Sequence, residues 1–161
     1  MGEEFYLTEV EKEYAVYASE CNRAVRKAMA TLTNLKEAMD QGYTDERTPF
    51  DSIDWRIKSF ESVVEKCHRK GYELNIDIIK DKVHDIGGIR IITPFRDDIE
   101  IVEKLIRNCP EITIKKRKDY VSTPKDNGYS SLHLDAEVSV LIPEVGYVSI
   151  PLEIQIRDKA M

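Results

Sequence analysis

Two stretches of the 161-residue chain alternate between apolar side chains and a second, mainly polar set, over 132–140 and 148–156. A period of two is typical of strands with one buried face and one polar face. A turn ending in Gly146 separates the stretches, so we predict an antiparallel hairpin. In a register where paired residue numbers sum to an even value, the polar side chains of both strands share one face. His133 and Glu153 would then point into the same cleft.

A long amphipathic helix is predicted for residues 1–42. Apolar residues recur in steps of three and four from Leu7 to Met39, and Gly42 is expected to end the helix. The apolar stripe can pack on a sheet or on a second subunit. The small size of the remaining core favours packing on the sheet within the same chain.

A short strand and a helix are predicted next. Residues 53–58 alternate as a strand, Ser59 is placed to cap the helix that follows, and Gly71 to stop it. Ser62 and Lys66 lie four residues apart on the polar side of this helix. The side chains predicted to point inward are Ile53, Trp55 and Ile57 on the strand and Phe60, Val63, Val64 and Cys67 on the helix.

Two more strands and a helix are predicted before the hairpin. Strands cover 89–93 and about 112–118, and residues 119–130 are predicted to form a loop. Between the strands, Asp97 or Asp98 is expected to cap a helix. Its predicted buried residues are Ile101, Val102, Leu105 and Ile106. With no repeat or linker, we expect one domain over residues 1–161.

The charge distribution narrows the possible partners. Lys plus Arg number 24 against 30 Asp plus Glu, a net charge of -6, which argues against the broad basic surface that non-specific duplex binding requires. We therefore expect no stable nucleic-acid partner. The stretch 115–133 is nevertheless rich in Lys and Arg. An acidic chain with a cationic pocket is suited to an anionic small-molecule substrate.

Cysteine use and hydropathy suggest the compartment. Cys21, Cys67 and Cys109 are far apart and lack the paired spacing of zinc sites. No stretch approaches the ~20 apolar residues of a membrane span, and the acidic N-terminus is unlike a secretory signal. These features predict a cytoplasmic protein without a membrane partner.

Two carboxylates are candidates for chemistry. Asp85 precedes the pair Gly87 and Gly88, and Glu153 lies mid-strand among apolar residues, where an unpaired charge is costly. Two carboxylates that converge from different strands can hold Mg²⁺ beside nucleotide phosphates. The alternative is that Asp85 caps a turn and Glu153 pairs with a Lys or Arg across the sheet.

The stretch 115–133 is a candidate for binding a nucleotide. Lys116, Lys118 and Lys125 can neutralise phosphates, and Tyr129 offers a ring on which a base can stack. The alternative is a solvated charged surface with a packed tyrosine. The combination of cations, Asn-Gly-Tyr and a following histidine is less expected of such a surface.

Four strings, taken in order, resemble the synthetase domain of RelA/SpoT-type (p)ppGpp synthetases. They are RIKSFESVVEK (56–66), HDIGGIRII (84–92), KRKDYVSTPKDNGYSSLH (116–133) and LEIQIRDKAM (152–161). The resemblance covers about 53–161 and is closest to a stand-alone small alarmone synthetase. It implies an α+β fold, with a mixed, largely antiparallel sheet flanked by helices and related to nucleotidyltransferases.

The resemblance also implies an activity and its site residues. The expected reaction moves a pyrophosphate from ATP to the 3′-OH of GDP or GTP, with Mg²⁺ as cofactor and AMP as by-product. Asp85 would bind Mg²⁺, and Glu153, supported by Gln155, would be a second ligand or the base for the 3′-OH. The ATP-binding residues would be Arg56, Lys58, Ser62, Lys66 and Arg90. The residues for GDP or GTP would be Lys118, Lys125, Asn127, Tyr129, His133 and Gln155.

The sequence departs from the family pattern at a few positions. Trp55 stands where the family commonly has Gly, and Asp158 follows QIR where Thr is usual. Relatives continue into C-terminal helices that we expect to be missing from this chain, and a homo-oligomer is expected when those helices are present. Two alternative functions remain: a toxin of the same fold that pyrophosphorylates the 3′ end of tRNA, and a non-catalytic nucleotide- or RNA-binding regulator.

Overall fold

A five-stranded sheet and four helices make up the chain in a computed structural model that describes residues 2–42, 47–123 and 130–160. The elements, in chain order, are α1 (Gly2–Asp40), β1 (Ser52–Ile57), α2 (Phe60–Lys70), α3 (Ile76–Lys82), β2 (Gly87–Thr93), α4 (Asp98–Arg107), β3 (Thr113–Asp119), β4 (Leu132–Ile142) and β5 (Gly146–Asp158). No helix in this part of the chain combines the length and apolar character needed to cross a membrane.

The strands lie in the order β1-β2-β5-β4-β3. Strands β2 and β5 are parallel, and the other three neighbouring pairs are antiparallel. The expected mixed, largely antiparallel sheet flanked by helices is therefore confirmed. The last strand of the chain, β5, lies at the centre of the sheet, between β2 and β4.

The hairpin of β4 and β5 has the predicted register. Its pairs run from Leu132 opposite Ile156 to Ile142 opposite Gly146, and the paired numbers sum to even values throughout. Gly146 has a φ of 105°, a conformation that side chains disfavour, which explains a glycine at the end of this turn. The polar residues of the two strands therefore share one face.

The apolar face of the sheet is covered by α1 and α4. The Cγ2 atom of Val25 in α1 lies 2.5 Å from the position that a Cβ of Gly87 would take, so a side chain there would collide with the helix. On α4, Glu103 pairs with Arg117, whose cross-strand neighbour Leu134 faces the core. The helix α1 thus packs on the sheet of its own chain, as the small core suggested.

Some local predictions are wrong. Trp55 shares a strand face with Ile53 and Ile57, but it lies on the edge strand and is 46% exposed. Ile101, predicted to be buried in α4, is 39% exposed. Asp97 is the N-cap residue of α4, as predicted, but its side chain makes no cap hydrogen bond. The side chain of Asp98 accepts a hydrogen bond from the backbone N–H of Phe95 at 3.1 Å.

Helix α3 was not predicted from the sequence. Its cap is Asn75, whose side chain accepts a hydrogen bond from the N–H of Ile78 at 2.8 Å. The helix has seven residues, of which Ile79 is buried. A helix of two turns with one buried residue gives too short a periodic signal to distinguish from a loop.

Candidate active site

Polar side chains form two rows across the sheet, on the face opposite α1 and α4. Because paired residues on neighbouring strands share a face, the strand register places these residues side by side. The glutamate row consists of Arg56, Gly88, Glu153, Asp135 and Lys116, from β1 to β3. The glutamine row consists of Asp54, Arg90, Gln155, His133 and Lys118 in the same strand order.

A cleft of about 210 Å³ opens over the β1, β2 and β5 part of these rows. Gly88 lies at its floor, between Arg56 and Glu153 in the glutamate row. A Cβ at Gly88 would lie 4.0 Å from Cγ of Arg56, an ordinary van der Waals contact, so the floor of the cleft has room there. The cleft is lined by Asp54, Trp55, Arg56, Asp85, Gly88, Ile89, Arg90, Glu153 and Gln155.

Asp85 enters the cleft from the segment just before β2, between two lysines. Its carboxylate lies 2.7 Å from the Nζ of Lys66 in α2 and 3.1 Å from the Nζ of Lys58, which follows β1. Burial alone would raise the pKa of Asp85, but the hydrogen bond and charge of Lys66, with those of Lys58, outweigh burial and lower it. Asp85 is therefore an anion at neutral pH.

Glu153 projects from the central strand. Its Oε1 accepts a hydrogen bond from the Nε2 of Gln155 at 2.8 Å and lies 3.6 Å from the Nδ1 of His133. The ring of Tyr120 contacts that of His133 edge-on, at 5.3 Å between centroids. Among the described residues, the side chain found within salt-bridge distance of Glu153 is that of a histidine, where the alternative interpretation expected a Lys or Arg.

The structure describes only some of the other predicted residues, and not all of these line the cleft. Arg56 and Arg90 both line the cleft, and Lys118 lies opposite His133 in the strand pairing. Ser62 is exposed, and its hydroxyl accepts from that of Ser59 at 3.0 Å. Ser62 is not one of the residues that line the cleft. Lys125, Asn127 and Tyr129 lie outside the described residues.

The beginning of the 119–130 segment is fixed by ion pairs behind the sheet. Arg117 lies 2.8 Å from Glu103 of α4, which also pairs with Arg107 at 3.0 Å. Asp119 then accepts hydrogen bonds from the N–H groups of Val121 and Ser122, both at 2.9 Å. These contacts anchor the strand that carries Lys118 to α4.

Sequence reasoning missed one contact to the site. The hydroxyl of Tyr14 in α1 donates a hydrogen bond to the backbone carbonyl oxygen of Lys58. In the sequence, Tyr14 is one member of the apolar stripe of α1, and no pattern distinguishes it from its neighbours. The contact follows from the packing of α1 beside the end of β1.

Two carboxylates and two arginines line one cleft of a mixed sheet, and two lysines pair with one of the carboxylates. This arrangement is typical of proteins that act on nucleotide or polyphosphate substrates. Residues 55–161 match the family described as "Region found in RelA / SpoT proteins". The chain belongs to this family, as the four sequence strings indicated.

Named relatives agree with this assignment. The chain is 46% identical over 114 residues to GTP pyrophosphokinase YwaC of Bacillus subtilis, covering 70% of this chain and 53% of that protein. It is 30% identical over 154 residues to GTP pyrophosphokinase YjbM of the same organism, covering 94% and 69%. The chain thus spans about half the length of YwaC.

A solved structure shares the fold. The small alarmone synthetase 1 of Bacillus subtilis, bound to its product pppGpp, superposes with a TM-score of 0.83 at 28% identity, over 92% of this chain and 74% of that chain. The similarity extends beyond residues 55–161 and therefore takes in part of α1.

Proposed function

We propose that this chain transfers a pyrophosphate group from ATP to the 3′-OH of GDP or GTP, producing AMP and ppGpp or pppGpp. The observation that carries the proposal is the cleft, which brings Asp85, from the segment before β2, and Glu153 of β5 together with Arg56 and Arg90. Support also comes from the relatives named GTP pyrophosphokinase and from the pppGpp complex of a protein with the same fold.

The donor, ATP, is assigned to the β1–β2 side of the cleft. Arg56 and Arg90 are both exposed there, on one face of the sheet, and guanidinium groups stack well on a base. Lys58 and Lys66 converge on Asp85 and are the cations available to the phosphates. Ser62, one turn before Lys66 on α2, is assigned to the ATP phosphates, as the resemblance implies.

The two carboxylates of the cleft fit Mg²⁺ as ligands. Asp85 and Glu153 are carboxylates that line one cleft, and Mg²⁺ prefers oxygen ligands, with substrate oxygens and water completing its shell. Among the described residues, no group of three or more His, Cys, Asp or Glu could hold a metal by itself, so substrate phosphates are needed for this site. When bound, Mg²⁺ supplies charge neutralisation to the triphosphate.

The acceptor is assigned to the β4–β3 side of Glu153. His133 and Lys118 lie next to each other there in the glutamine row. We assign the ribose and the phosphates of GDP or GTP to these two residues and to Lys125. Tyr129 and Asn127 are assigned to the guanine base, as the resemblance implies.

The chemistry requires an alcohol and a phosphorus atom to meet in line. The 3′-oxygen forms a bond to the β-phosphorus of ATP, the bond from that phosphorus to the α–β bridging oxygen breaks, and AMP leaves. The proton of the 3′-OH passes to Glu153, whose carboxylate Gln155 and His133 hold in place. Glu153 is also the second candidate ligand for Mg²⁺.

The test is incubation with ATP labelled on the β-phosphate, Mg²⁺, and GDP, GTP or tRNA in turn. We expect label in GDP or GTP, and none with Asp85→Asn. Label in tRNA would instead identify the toxin-like activity, and label in no acceptor, with nucleotide binding intact, would identify the regulator. The cytoplasmic location and the homo-oligomer remain predictions from the sequence.

A further inference from the structure

Helix α1 precedes residues 55–161, over which the chain matches the family description, yet it contacts the segments on both sides of Asp85. Tyr14 bonds to the carbonyl oxygen of Lys58, at the end of β1. Val25 packs on Gly87, the first residue of β2 and the second after Asp85. One rigid helix therefore supports both strand ends that frame the carboxylate.

Tyr14 also contacts the helix that carries the second lysine. Its ring packs against that of Phe60, the first residue of α2, at 5.6 Å between centroids. The side chain is 4% exposed, so the hydroxyl is shielded from water. Burial, and then the charges of Cys21 and Asp85, raise its pKa, and the phenol remains a protonated donor.

The backbone of Lys58 is fixed at both of its polar groups. Its N–H donates to the carbonyl oxygen of Ile86 at 2.8 Å, and its carbonyl oxygen accepts from Tyr14. The side chain of Lys58 leaves from this fixed point to reach Asp85. A cation held in its binding direction loses less conformational entropy when a ligand arrives.

We propose that Tyr14 is a positioning residue for the donor nucleotide, acting through the backbone of Lys58 and the placement of its ammonium group. This inference rests on the assignment of Lys58 to ATP in the proposed function. It extends the donor site to α1, which has no part in the four family strings.

The test compares Tyr14→Phe with Tyr17→Phe. Tyr17 is a matched control, since it lies on the same helix, is also 4% exposed, and packs near Lys80 instead of Lys58. Calorimetric titration of the full chain with Mg-ATP should show that Tyr14→Phe raises the Kd by about 3- to 10-fold. The full worth of one hydrogen bond, about 10-fold, is the upper limit, because this bond is present with and without ATP and reaches the Kd only through the placement of Lys58. The Kd for GDP should stay within about twofold. Tyr17→Phe should leave both constants nearly unchanged.

A double-variant cycle tests the route through Lys58. In a Lys58→Met background, the ammonium that Tyr14 positions is absent, so Tyr14→Phe should add no further loss of ATP affinity. Thermal unfolding of each variant checks that it is folded. The proposal is overturned if Tyr14→Phe acts equally on ATP and GDP, if Tyr17→Phe matches it, or if its effect persists undiminished in the Lys58→Met background.

This experiment separates the inference from the proposed function. The titrations report ATP affinity whether or not a pyrophosphate is transferred. A wild-type chain that binds ATP without labelling any acceptor would refute the proposed function and still measure the effect of Tyr14. A wild-type chain that transfers label normally, with an unaltered Kd in Tyr14→Phe, would refute the inference alone.

Discussion

Lys66 is the residue we choose to test the ATP site. Its ammonium group already pairs with Asp85 in the free protein. Its Nζ lies 2.7 Å from Asp85, and its side chain is 20% exposed. The substitution Lys66→Met removes the charge and keeps a side chain of similar length in α2. We predict that this variant binds ATP more weakly and GDP nearly as well as the wild type.

The size of the loss follows from the contact. A hydrogen bond to a charged group contributes about 1.5 to 3 kcal/mol, and each 1.4 kcal/mol is about tenfold in affinity. Part of this free energy is spent in the free protein, since Lys66 must share its hydrogen bonds between Asp85 and a phosphate. We therefore expect the lower end, a rise of about tenfold in the Kd for ATP.

The assay measures the Kd for ATP and for GDP separately. The control is Lys70→Met, which removes the same charge one turn further along α2, from an exposed residue. Lys70→Met should change the Kd for ATP by less than about twofold. Equal losses for both nucleotides in Lys66→Met, or equal losses for ATP in the two variants, would show that Lys66 does not contact the donor.

Three further predictions concern the carboxylates and the acceptor. Glu153→Gln should lower the transfer rate at least about 100-fold, because base catalysis contributes that much. The Kd for Mg-ATP should stay nearly unchanged if Glu153 is the base and rise if it is a Mg²⁺ ligand, and normal single-turnover rates would exclude Glu153 as the base. The pKa of Asp85 is lowered in the folded protein. Its ion pairs therefore stabilise the fold at pH values above the unfolded pKa of 3.8, and this stabilisation is lost as the pH falls through the folded pKa. Asp85→Asn should thus lower the free energy of unfolding in urea by about 2 kcal/mol at pH 7, with a difference that disappears in acid; a difference that persists there would contradict the ion-pair account. In titrations, Tyr129→Ala should weaken the binding of GDP by about 1 to 3 kcal/mol and the binding of ATP only slightly. Equal losses for both nucleotides would show that Tyr129 has a structural role.

The sequence was most informative where a local period fixes geometry. Alternation in β4 and β5, together with the turn at Gly146, was enough to place His133, Glu153 and Gln155 on one face. The same alternation placed Trp55 on the correct strand face but not its burial, because burial depends on which strand lies at the edge of the sheet. That order is set by long-range pairing, which no local pattern records.

The lysines around Asp85 show what local reasoning leaves open. Lys58, Lys66 and Asp85 belong to three different segments, and their convergence was implied by the family resemblance and not by their spacing. Tyr14 was implied by neither, because a buried tyrosine in an apolar stripe gives no sign that its hydroxyl reaches another segment. Such contacts depend on how a helix crosses the strand ends beneath it.

In the proposed function, two anionic substrates share one face of the sheet, and the central strand β5 lies between them. ATP and GDP both carry several negative charges, so their phosphates repel each other and also repel Glu153. The cations are found toward the two edges of the sheet, with Arg56 and Arg90 on one side of β5 and Lys116 and Lys118 on the other. These cations offset the charges of the two nucleotides on opposite sides of β5, while Lys58 and Lys66 are available to the ATP phosphates beside Asp85. The uncharged ribose hydroxyl is the part of the acceptor that can approach Glu153 without this repulsion, and a sheet with β5 at an edge would not separate the two substrates in this way.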